Sequence, residues 1–394
     1  MTPEFERAAT DDARLLGDLC EVAPVIQSYS EVAERERRLA DRVVAALRDI
    51  GAFRMLVPAE LGGRPASVAT FIQALELVAG ADGSAGWNLG TSLACSMAAL
   101  ALPDDGLDRV FGRGLDLVFA GTVYRANGQA VATDGGYRLT GRWPFGSGCQ
   151  HADWMMGVAT VFEDASPRLV DGTPERRLCL FSPSDCTVLE TWDPTGLRGT
   201  GSHDIQVVDL WVAESLTAVP RRRPWRDPLF RFLGLPLTAL QFSAIVTGIA
   251  RAALDAFEEI AASKTPTFAS RPLREEPTVQ EKHARAEALL ESARAYRTAV
   301  VSDVWETLCD DGPAPMEQGA QLMLAAVTSI EQAQRALDLV YGLAGTTGIQ
   351  RTHPLARAFR DIHVAAQTSR SIFSFETAGR VLLGLDPPTG LVLT

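Results

Sequence analysis

Hydrophobic residues recur at helical spacing through the first 110 or so residues of the chain. A helix is predicted over residues 31–50, with one apolar stripe made of Leu39, Val43, Leu47 and Ile50. Gly51 follows this stripe and is predicted to end the helix. Residues 85–100 carry no charged side chain, which predicts a buried helix too short to be a membrane segment. The opening region is therefore predicted to be a helical domain.

The pattern changes to short alternating segments between about 115 and 215. Asp134, Gly135 and Gly136 predict a tight turn between two strands. Further β-like segments cover residues 118–122, 154–161, 178–181, 187–190 and 205–212. Several short strands separated by turns predict a small sandwich or barrel in the middle of the chain.

Helical spacing returns from about residue 236, where Phe242, Ile245 and Ile249 recur on one face. Long helices are predicted from 236 to about 264 and over residues 278–308, 316–343 and 354–383. Four long antiparallel helices form an up-down bundle. The predicted fold class is thus mainly α with a central β domain.

Composition narrows the possible functions of this 394-residue chain. A hydrophobic content of 46% allows a large core, and a net charge of -12 argues against nucleic-acid binding. The six cysteines form no C-x-x-C pair and the five histidines show no metal-ligand spacing, so we expect reduced thiols, no metal and a cytoplasmic location. The chain shows no secretion signal and no apolar run long and charge-free enough to span a bilayer.

The stretch from Gly141 to Trp154 reads G-R-W-P-F-G-S-G-C-Q-H-A-D-W and is the strongest candidate for a binding turn. Glycines beside aromatic rings suit close packing of backbone on a flat ligand. The alternative is that Trp143 and Phe145 are core residues of a strand-turn-strand unit. No G-x-G-x-x-G, G-x-x-x-x-G-K or G-x-S-x-G motif supports a nicotinamide, nucleotide-triphosphate or hydrolase function.

Four motifs occur in a characteristic order: A-D-G-S-A-G-W from Ala81, W-P-F-G-S-G from Trp143, T-G-L-R-G-T-G-S from Thr195 and R-D-I-H-V-A-A-Q from Arg360. Together they resemble the acyl-CoA dehydrogenase superfamily, and within it the oxygen-using branch of two-component flavin monooxygenases. The resemblance implies an N-terminal helical domain (1–114), a central β domain (115–220) and a C-terminal four-helix bundle (221–394).

The resemblance also implies a flavin site between the β domain and the helical bundle. By the match, Trp143, Phe145, Ser147 and Gly148 border the isoalloxazine ring, and the loop of Arg198 closes its other side. Ser147, or a neighbouring backbone N–H, would donate a hydrogen bond near flavin N5. The alternative for Ser147 is an ordinary turn serine.

The adenine end of the flavin, where present, commonly reaches a neighbouring subunit in this superfamily. The matching positions here are Arg271, Tyr341, Gly342 and Gly345. A homotetramer is the assembly that the resemblance implies.

The R-D motif separates a dehydrogenase from an oxygenase. One large dehydrogenase subgroup carries a catalytic glutamate shortly after this motif, where Thr368 and Ser369 stand here. We therefore expect an oxygenase that uses reduced flavin (FADH2 or FMNH2) and O2 through a C4a-hydroperoxide. A separate NAD(P)H-dependent flavin reductase would supply the flavin, since the chain has no nicotinamide-binding motif.

The substrate is a small molecule whose class the sequence leaves open. Phenol hydroxylases of this branch usually carry two histidines, at about the positions of Cys95 and Thr368. The match therefore implies a substrate-binding position for Cys95 and a catalytic one for Thr368. His363 is a candidate catalytic substitute or a packing residue. The absence of both histidines favours N-oxygenation of a nucleotide-linked amino sugar, as in nitrososynthases. The anionic diphosphate of such a substrate would need a cationic contact, for which the run Arg221, Arg222, Arg223 is the candidate; the alternative is that this run is a solvated surface. Hydroxylation of an aromatic or phenolic compound is the second hypothesis, acyl-CoA dehydrogenation the third, and a non-catalytic binding protein the fourth.

Overall fold

Six helices precede the first strand in the computed structural model, which describes residues 3–219, 223, 225–232, 235–267, 269–310, 315–370 and 374–386. They are α1 (Pro3–Ser28), α2 (Ser30–Glu36), α3 (Asp41–Asp49), α4 (Val68–Ala81), α5 (Gly83–Ala99) and α6 (Asp104–Phe111). The helix predicted over residues 31–50 is wrong in one respect, because it is two helices. Arg37 takes a left-handed conformation between them (φ 54°), and its guanidinium donates to the carbonyl of Trp192 at 3.0 Å.

Asp82 separates α4 from α5 and caps the second helix. Its side chain accepts a hydrogen bond from the backbone nitrogen of Ala85 at 2.8 Å, which satisfies a free donor of the first turn. Most of α5 is buried, as its uncharged sequence predicts. This cap fixes the direction of α5 and hence the position of Trp87 one turn further on.

The central strands are β1 (Phe119–Thr133), β2 (Gly136–Gly146), β3 (Trp154–Glu163), β4 (Ser166–Pro167), β5 (Leu169–Val170), β6 (Thr173–Pro174), β7 (Arg176–Phe181), β8 (Thr187–Leu189), β9 (His203–Ala213) and β10 (Thr217–Ala218). Seven form a sheet in the order β10-β7-β3-β1-β2-β9-β8, β4 pairs with β3, and β5 pairs with β6 separately. Strands β1 and β2 form the predicted hairpin, with Gly135 at φ 70° in its turn.

Trp143 lies inside the β domain and not in a binding site. Its side chain is fully buried and its indole nitrogen donates to the carbonyl of Val158 at 2.9 Å. A Cβ built on Gly128, Gly141 or Gly157 would lie 2.3–2.6 Å from the indole ring. The structure therefore agrees with the alternative that Trp143 is a core residue: Gly128 of β1, Gly157 of β3 and Gly141 of β2 itself form a slot that this indole fills.

The C-terminal helices are α7 (Leu235–Ser263), α8 (Pro277–Cys309), α9 (Met316–Tyr341), α10 (Pro354–Arg370) and α11 (Phe375–Leu382). The single helix expected over residues 354–383 is thus described as two, α10 and α11. Helix α7 packs against α4, α9 and α10 and forms the centre of the bundle. These layers confirm the predicted fold class, whereas the exact domain boundaries stay a prediction.

One helix satisfies the length and hydropathy criteria for a membrane span, contrary to the expectation that none would. It is α7, over Pro236–Ser263, with a mean hydropathy of 1.4. In the structure 83% of its most apolar window is buried against other parts of the protein. Packing in the protein core accounts for its apolar composition.

Candidate functional site

Strand β2 ends in a turn with two left-handed residues, Phe145 (φ 64°) and Gly148 (φ 73°). Positive φ is uncommon for a residue with a side chain and is concentrated at functional sites. The ring of Phe145 is 64% exposed and meets Trp192 edge-on, with 6.1 Å between ring centroids. The turn therefore holds an exposed aromatic face in a conformation that the local sequence does not favour.

Three hydroxyl groups form a buried row beside this turn, which we call the hydroxyl chain: Ser147, Ser202 and Thr200. Ser147 Oγ lies 2.7 Å from Ser202 Oγ, which lies 2.7 Å from Thr200 Oγ1. The indole nitrogen of Trp87 donates to Ser147 Oγ at 3.2 Å, and Thr200 Oγ1 donates to the carbonyl of Leu197 at 2.8 Å. Helix α5 and the loop before β9 thus meet at Ser147.

Asn88 adds an acceptor to the same place. Its Oδ1 is buried and has no hydrogen-bond partner among the described residues. A Cβ built on Gly148 would lie 3.6–3.8 Å from the Asn88 amide, so the amide faces the backbone of the turn. A buried acceptor without a partner is costly unless a ligand or water supplies the donor.

The loop containing Arg198 is fixed by helix α10. Asp361 Oδ1 accepts from the backbone nitrogen of Leu197 at 2.5 Å, and a Cβ on Gly196 would lie 2.2 Å from the carbonyl of Arg360. Arg198 itself donates to Asp193 Oδ1 at 2.6 Å and to the Glu34 carbonyl at 3.2 Å. The Arg198 guanidinium is bound to other groups of the protein, so this residue contributes to the site by fixing the shape of the loop.

Two buried carboxyl groups lie where α5, α10 and this loop meet. Burial is the main cause that raises the pKa of Asp361 to about 7; the nearby Asp82 acts in the same direction, and the hydrogen bond from the Leu197 N–H acts in the opposite one. Burial also raises the pKa of Asp82, although the positive charge of Arg357 acts to lower it. Arg360 instead pairs with Glu34 at 2.7 Å, so Arg360 and Asp361 anchor different elements.

His363 and Thr368, predicted as catalytic, contact other parts of the bundle. His363 Nδ1 lies 2.7 Å from the carbonyl of Phe359, and its Nε2 lies 3.3 Å from Asp338 Oδ1 on α9. Thr368 Oγ1 donates to the Val364 carbonyl one turn earlier at 3.0 Å. Asp361 makes a hydrogen bond between α10 and the site loop, and a catalytic role for His363 or Thr368 stays a prediction.

The residues predicted for the adenine end lie around the end of α9. Tyr341 stacks on Phe359 with 3.9 Å between centroids, and Gly342 follows as the helix cap. Gly345 has a φ of 57°, and Lys264 Nζ donates to the adjacent Ala344 carbonyl at 2.7 Å. Exposed Arg271 lies 3.6 Å from Glu276. Contact of these residues with a cofactor across a subunit interface stays a prediction.

The residues predicted to bind substrate are in three different situations. Cys95 is buried on α5 with its sulfur 4.0 Å from the Gly121 carbonyl, and burial raises the pKa of its thiol to about 12. Arg223 donates to the Leu102 carbonyl and to Asp104, and it lies over the ring of Trp225. Arg221 and Arg222 lie outside the described residues.

These groups fit a flavin. The exposed ring of Phe145 offers a flat apolar surface, and Gly148 lets backbone approach a ring closely. The unpartnered Asn88 Oδ1 suits a ring N–H, which flavins possess. Sequence reasoning named Ser147 and Gly148 but missed Asn88, Thr200 and Ser202; two of these stand in the T-G-L-R-G-T-G-S motif, which was the available signal.

Comparison with known proteins agrees with this fold. Residues 240–369 match the model of the acyl-CoA dehydrogenase C-terminal domain. The structure of XiaF from Streptomyces sp., in complex with FADH2 and glycerol, superposes with a TM-score of 0.89 at 25% identity, covering 99% of this chain and 100% of that one. The chain therefore has the acyl-CoA dehydrogenase fold.

Two curated relatives define the family within that fold. Indole-3-acetate monooxygenase of Pseudomonas putida is 33% identical over 359 residues, covering 91% of this chain and 90% of the relative. The flavin-dependent monooxygenase oxygenase subunit HsaA of Rhodococcus jostii is 27% identical over 381 residues, covering 94% of each. The chain belongs to the flavin-dependent monooxygenases, which use reduced flavin and O2, and the predicted oxygenase branch is confirmed.

Proposed function

We propose that this chain is the oxygenase component of a two-component system and that it oxygenates an electron-rich aromatic ring of the indole type. The observation that carries this proposal is its 33% identity, over 91% of its length, to an indole-3-acetate monooxygenase. A separate NAD(P)H-dependent reductase supplies the reduced flavin, in keeping with the oxygenase-subunit name of the HsaA relative. Bound at the site, reduced flavin supplies two electrons and two hydrogens to O2, so that one oxygen atom enters the substrate and the other leaves as water.

Aromatic and apolar side chains beside the turn support an aromatic substrate. Trp87 packs against Phe242 of α7 with 4.8 Å between ring centroids, and both rings are buried. Cys95 lies two turns further along α5, and its neutral thiol adds a small apolar surface. In the proposed site these side chains would keep water from the reacting oxygen and give the substrate ring an apolar neighbour.

The positions of the histidines favour indole over phenol. Phenol oxygenation needs a base that removes the hydroxyl proton, whereas the indole ring carbon is already nucleophilic. Each of the five histidines, all within the described ranges, contacts groups other than the hydroxyl chain: Asp41 for His151, Trp192 for His203, Glu258 for His283, Leu355 for His353 and Asp338 for His363. The neutral Cys95 thiol does not serve as a base either.

The other two enzyme hypotheses have less support. N-oxygenation of a nucleotide-linked amino sugar needs an anion contact, and Arg223 is neutralised by Asp104; this reaction stays a prediction. For dehydrogenation, Thr368 and Ser369 occupy the expected base position, and both hydroxyls donate to carbonyls of their own helix. A homotetramer and a cytoplasmic location also stay predictions.

The test is a coupled assay with a flavin reductase, NADH and either FAD or FMN. Indole-3-acetate, indole, a phenol and a nucleotide-linked amino sugar are supplied separately under ¹⁸O2, and products are analysed by mass spectrometry. We expect one ¹⁸O atom in the indole products and the largest product yield per NADH with that class. Labelled nitroso product with the amino sugar alone would establish the first hypothesis of the sequence instead. Oxidation of an acyl-CoA to its enoyl-CoA, with two electrons and two hydrogens passing to oxidised flavin and no O2 consumed, would identify a dehydrogenase.

A further inference from the structure

The hydroxyl chain has a direction that its hydrogen count fixes. Each hydroxyl carries one hydrogen, and that of Thr200 is donated to the Leu197 carbonyl at 2.8 Å. In the 2.7 Å contact between Thr200 and Ser202, the hydrogen must therefore come from Ser202. It follows that Ser147 donates in its own 2.7 Å contact with Ser202. The bonds run one way, from Trp87 through Ser147, Ser202 and Thr200 to the carbonyl of Leu197.

This direction leaves the turn with acceptors where donors were expected. The hydrogen of Ser147 Oγ is taken by Ser202. The backbone nitrogen of Ser147 donates to the Phe145 carbonyl at 2.8 Å, and that of Gly148 donates to the Thr200 carbonyl at 2.9 Å. Ser147 Oγ keeps a lone pair, and Asn88 Oδ1 lies unpartnered nearby. The donor role predicted for Ser147 is not the arrangement that the structure holds.

The chemistry of flavin makes this polarity consequential. Nitrogen N5 of the ring carries a hydrogen only in the reduced state and is an acceptor in the oxidised state. An acceptor at the turn therefore receives a hydrogen bond from N5–H of the reduced ring. With the oxidised ring, the same acceptor faces the N5 lone pair, and the two repel each other. We infer that Ser202 and Thr200 hold Ser147 as an acceptor and that they thereby make this site select reduced over oxidised flavin. This inference rests on the proposed function, which places flavin at the turn.

Reversing the hydroxyl chain has a defined cost. For Ser147 to donate to a bound flavin, Ser202 must donate to Ser147 and Thr200 must donate to Ser202. The Leu197 carbonyl then loses the Thr200 hydroxyl and keeps the indole nitrogen of Trp192 at 3.1 Å and the backbone nitrogen of Thr200 at 3.2 Å. The preference for reduced over oxidised flavin therefore corresponds to one net hydrogen bond, which is a ratio of about 2- to 10-fold between the two dissociation constants.

The experiment measures Kd for oxidised flavin in air and for the same flavin, chemically reduced, under anaerobic conditions. In the unmodified protein we expect a lower Kd for reduced flavin. Ser202→Ala and Thr200→Val each free the hydrogen of Ser147, and each should lower the ratio of oxidised to reduced Kd by about 2- to 10-fold. By linkage, a tenfold change lowers the two-electron midpoint potential of bound flavin by about 30 mV, which dye equilibration measures independently.

Two controls separate this role from a loss of packing. Thr200→Ser keeps the hydroxyl and should keep the ratio of the unmodified protein. Ser369→Ala removes a buried hydroxyl that donates to the Ala365 carbonyl at 2.8 Å on α10, and the ratio should not change. A purely structural role for Thr200 and Ser202 would weaken binding of both redox states equally and would leave the ratio and the potential unmoved.

Each remaining outcome has one meaning. If Ser147→Ala changes the ratio but Ser202→Ala and Thr200→Val do not, the hydroxyl chain does not set the polarity of Ser147 and the inference is wrong. A preference of the unmodified protein for oxidised flavin also overturns it. If none of the three variants changes either Kd although flavin binds, flavin lies elsewhere and the placement in the proposed function fails. If the unmodified protein binds neither FAD nor FMN in either state, the proposed function itself fails.

Discussion

Asp361 Oδ1 lies 2.5 Å from the backbone nitrogen of Leu197, and this hydrogen bond joins helix α10 to the loop that carries Thr200 and Ser202. Leu197 has a left-handed backbone (φ 51°), which its side chain does not favour. The bond therefore holds a strained residue at the end of the hydroxyl chain, where the Leu197 carbonyl accepts from Thr200. It gives the R-D motif a physical role, because the aspartate fixes the loop from a distant part of the sequence.

The first prediction concerns the pH dependence of stability through Asp361. Folding raises the pKa of this carboxyl to about 7, whereas an unfolded aspartate ionises near pH ~4. Between these values the folded state holds a proton that the unfolded state has lost, so the free energy of unfolding falls as pH rises from about 4 to 7 and is flat above. Asp361→Asn removes this dependence and keeps an oxygen for the Leu197 N–H.

Urea unfolding at pH 5 and pH 8 measures the difference. We expect the unmodified protein to lose more stability between these pH values than Asp361→Asn. Asp361→Ala is the control, because it leaves the Leu197 nitrogen without an acceptor and should lower stability at both pH values by about 1–3 kcal/mol. Equal pH dependence in the unmodified protein and the asparagine variant would show that Asp361 does not titrate in this range.

The second prediction concerns the glycine slot around Trp143. A Cβ on Gly157 would lie 2.3 Å from the indole, so Gly157→Ala should lower stability by about 1–3 kcal/mol through overpacking. Gly17→Ala on α1 is the matched control, because nothing lies within 4 Å of a Cβ there, and it should be neutral or slightly stabilising. In a double-mutant cycle, Trp143→Leu should recover part of the Gly157→Ala loss; strict additivity would rule out the clash.

The order of helices and strands was predictable, and the errors have physical causes. Apolar periodicity and the Asp134-Gly135-Gly136 turn located the main elements because both are local signals. The break at Arg37 was missed because it has no glycine or proline. It is held by a contact with Trp192, 155 residues away in sequence. Local pattern carries no trace of such a contact.

The site was only partly predictable, because local sequence marks its turn but not the contacts between distant segments. The glycines around Ser147 marked a turn, and the structure places that turn beside Trp87 and Asn88. The burial of Trp143 depends on glycines in other strands, which the local sequence does not show, and for this reason the residue was assigned to the ligand. The hydroxyl chain could not be inferred, since Ser147 and Ser202 are 55 residues apart and their contact depends on the pairing of β2 with β9.

The third prediction concerns Glu76, which links α4 to α8. It accepts from Arg297 at 2.7 Å and from Arg294 at 2.5 Å, and Arg297 is almost fully buried. Glu76→Ala removes the carboxylate that balances this buried charge and leaves it the neutral hydroxyls of Ser243 and Thr247. It should destabilise the fold by about 3–5 kcal/mol. The exposed pair of Glu281 and Arg285 is the control, where Glu281→Ala should cost at most about 1 kcal/mol. Urea unfolding measures both, and similar losses would contradict the role of burial.

The fourth prediction separates an aromatic substrate from a nucleotide-linked one through Arg223. Its guanidinium already pairs with Asp104 and donates to the Leu102 carbonyl. Arg223→Ala should therefore change stability by no more than about 1 kcal/mol and should leave the KM of an indole substrate, and its response to salt, unchanged. A KM for a nucleotide-linked sugar that rises in the variant and loses its salt dependence would instead identify an anion contact.

The fifth prediction concerns the fate of oxygen when Ser147 loses its hydroxyl. Ser147 Oγ accepts from Trp87 and donates to Ser202, so Ser147→Ala removes a polar contact from the turn and leaves the Trp87 N–H without its acceptor. With substrate present, we expect the fraction of consumed O2 released as hydrogen peroxide to rise by about 2- to 10-fold, the weight of one hydrogen bond at the reacting site. A peroxidase-coupled assay gives peroxide, and chromatography gives product from the same reaction. Ser369→Ala, which removes a buried hydroxyl on α10, should leave the ratio of peroxide to product as it is. If both variants release equal peroxide, Ser147 has no special part in directing oxygen to the substrate.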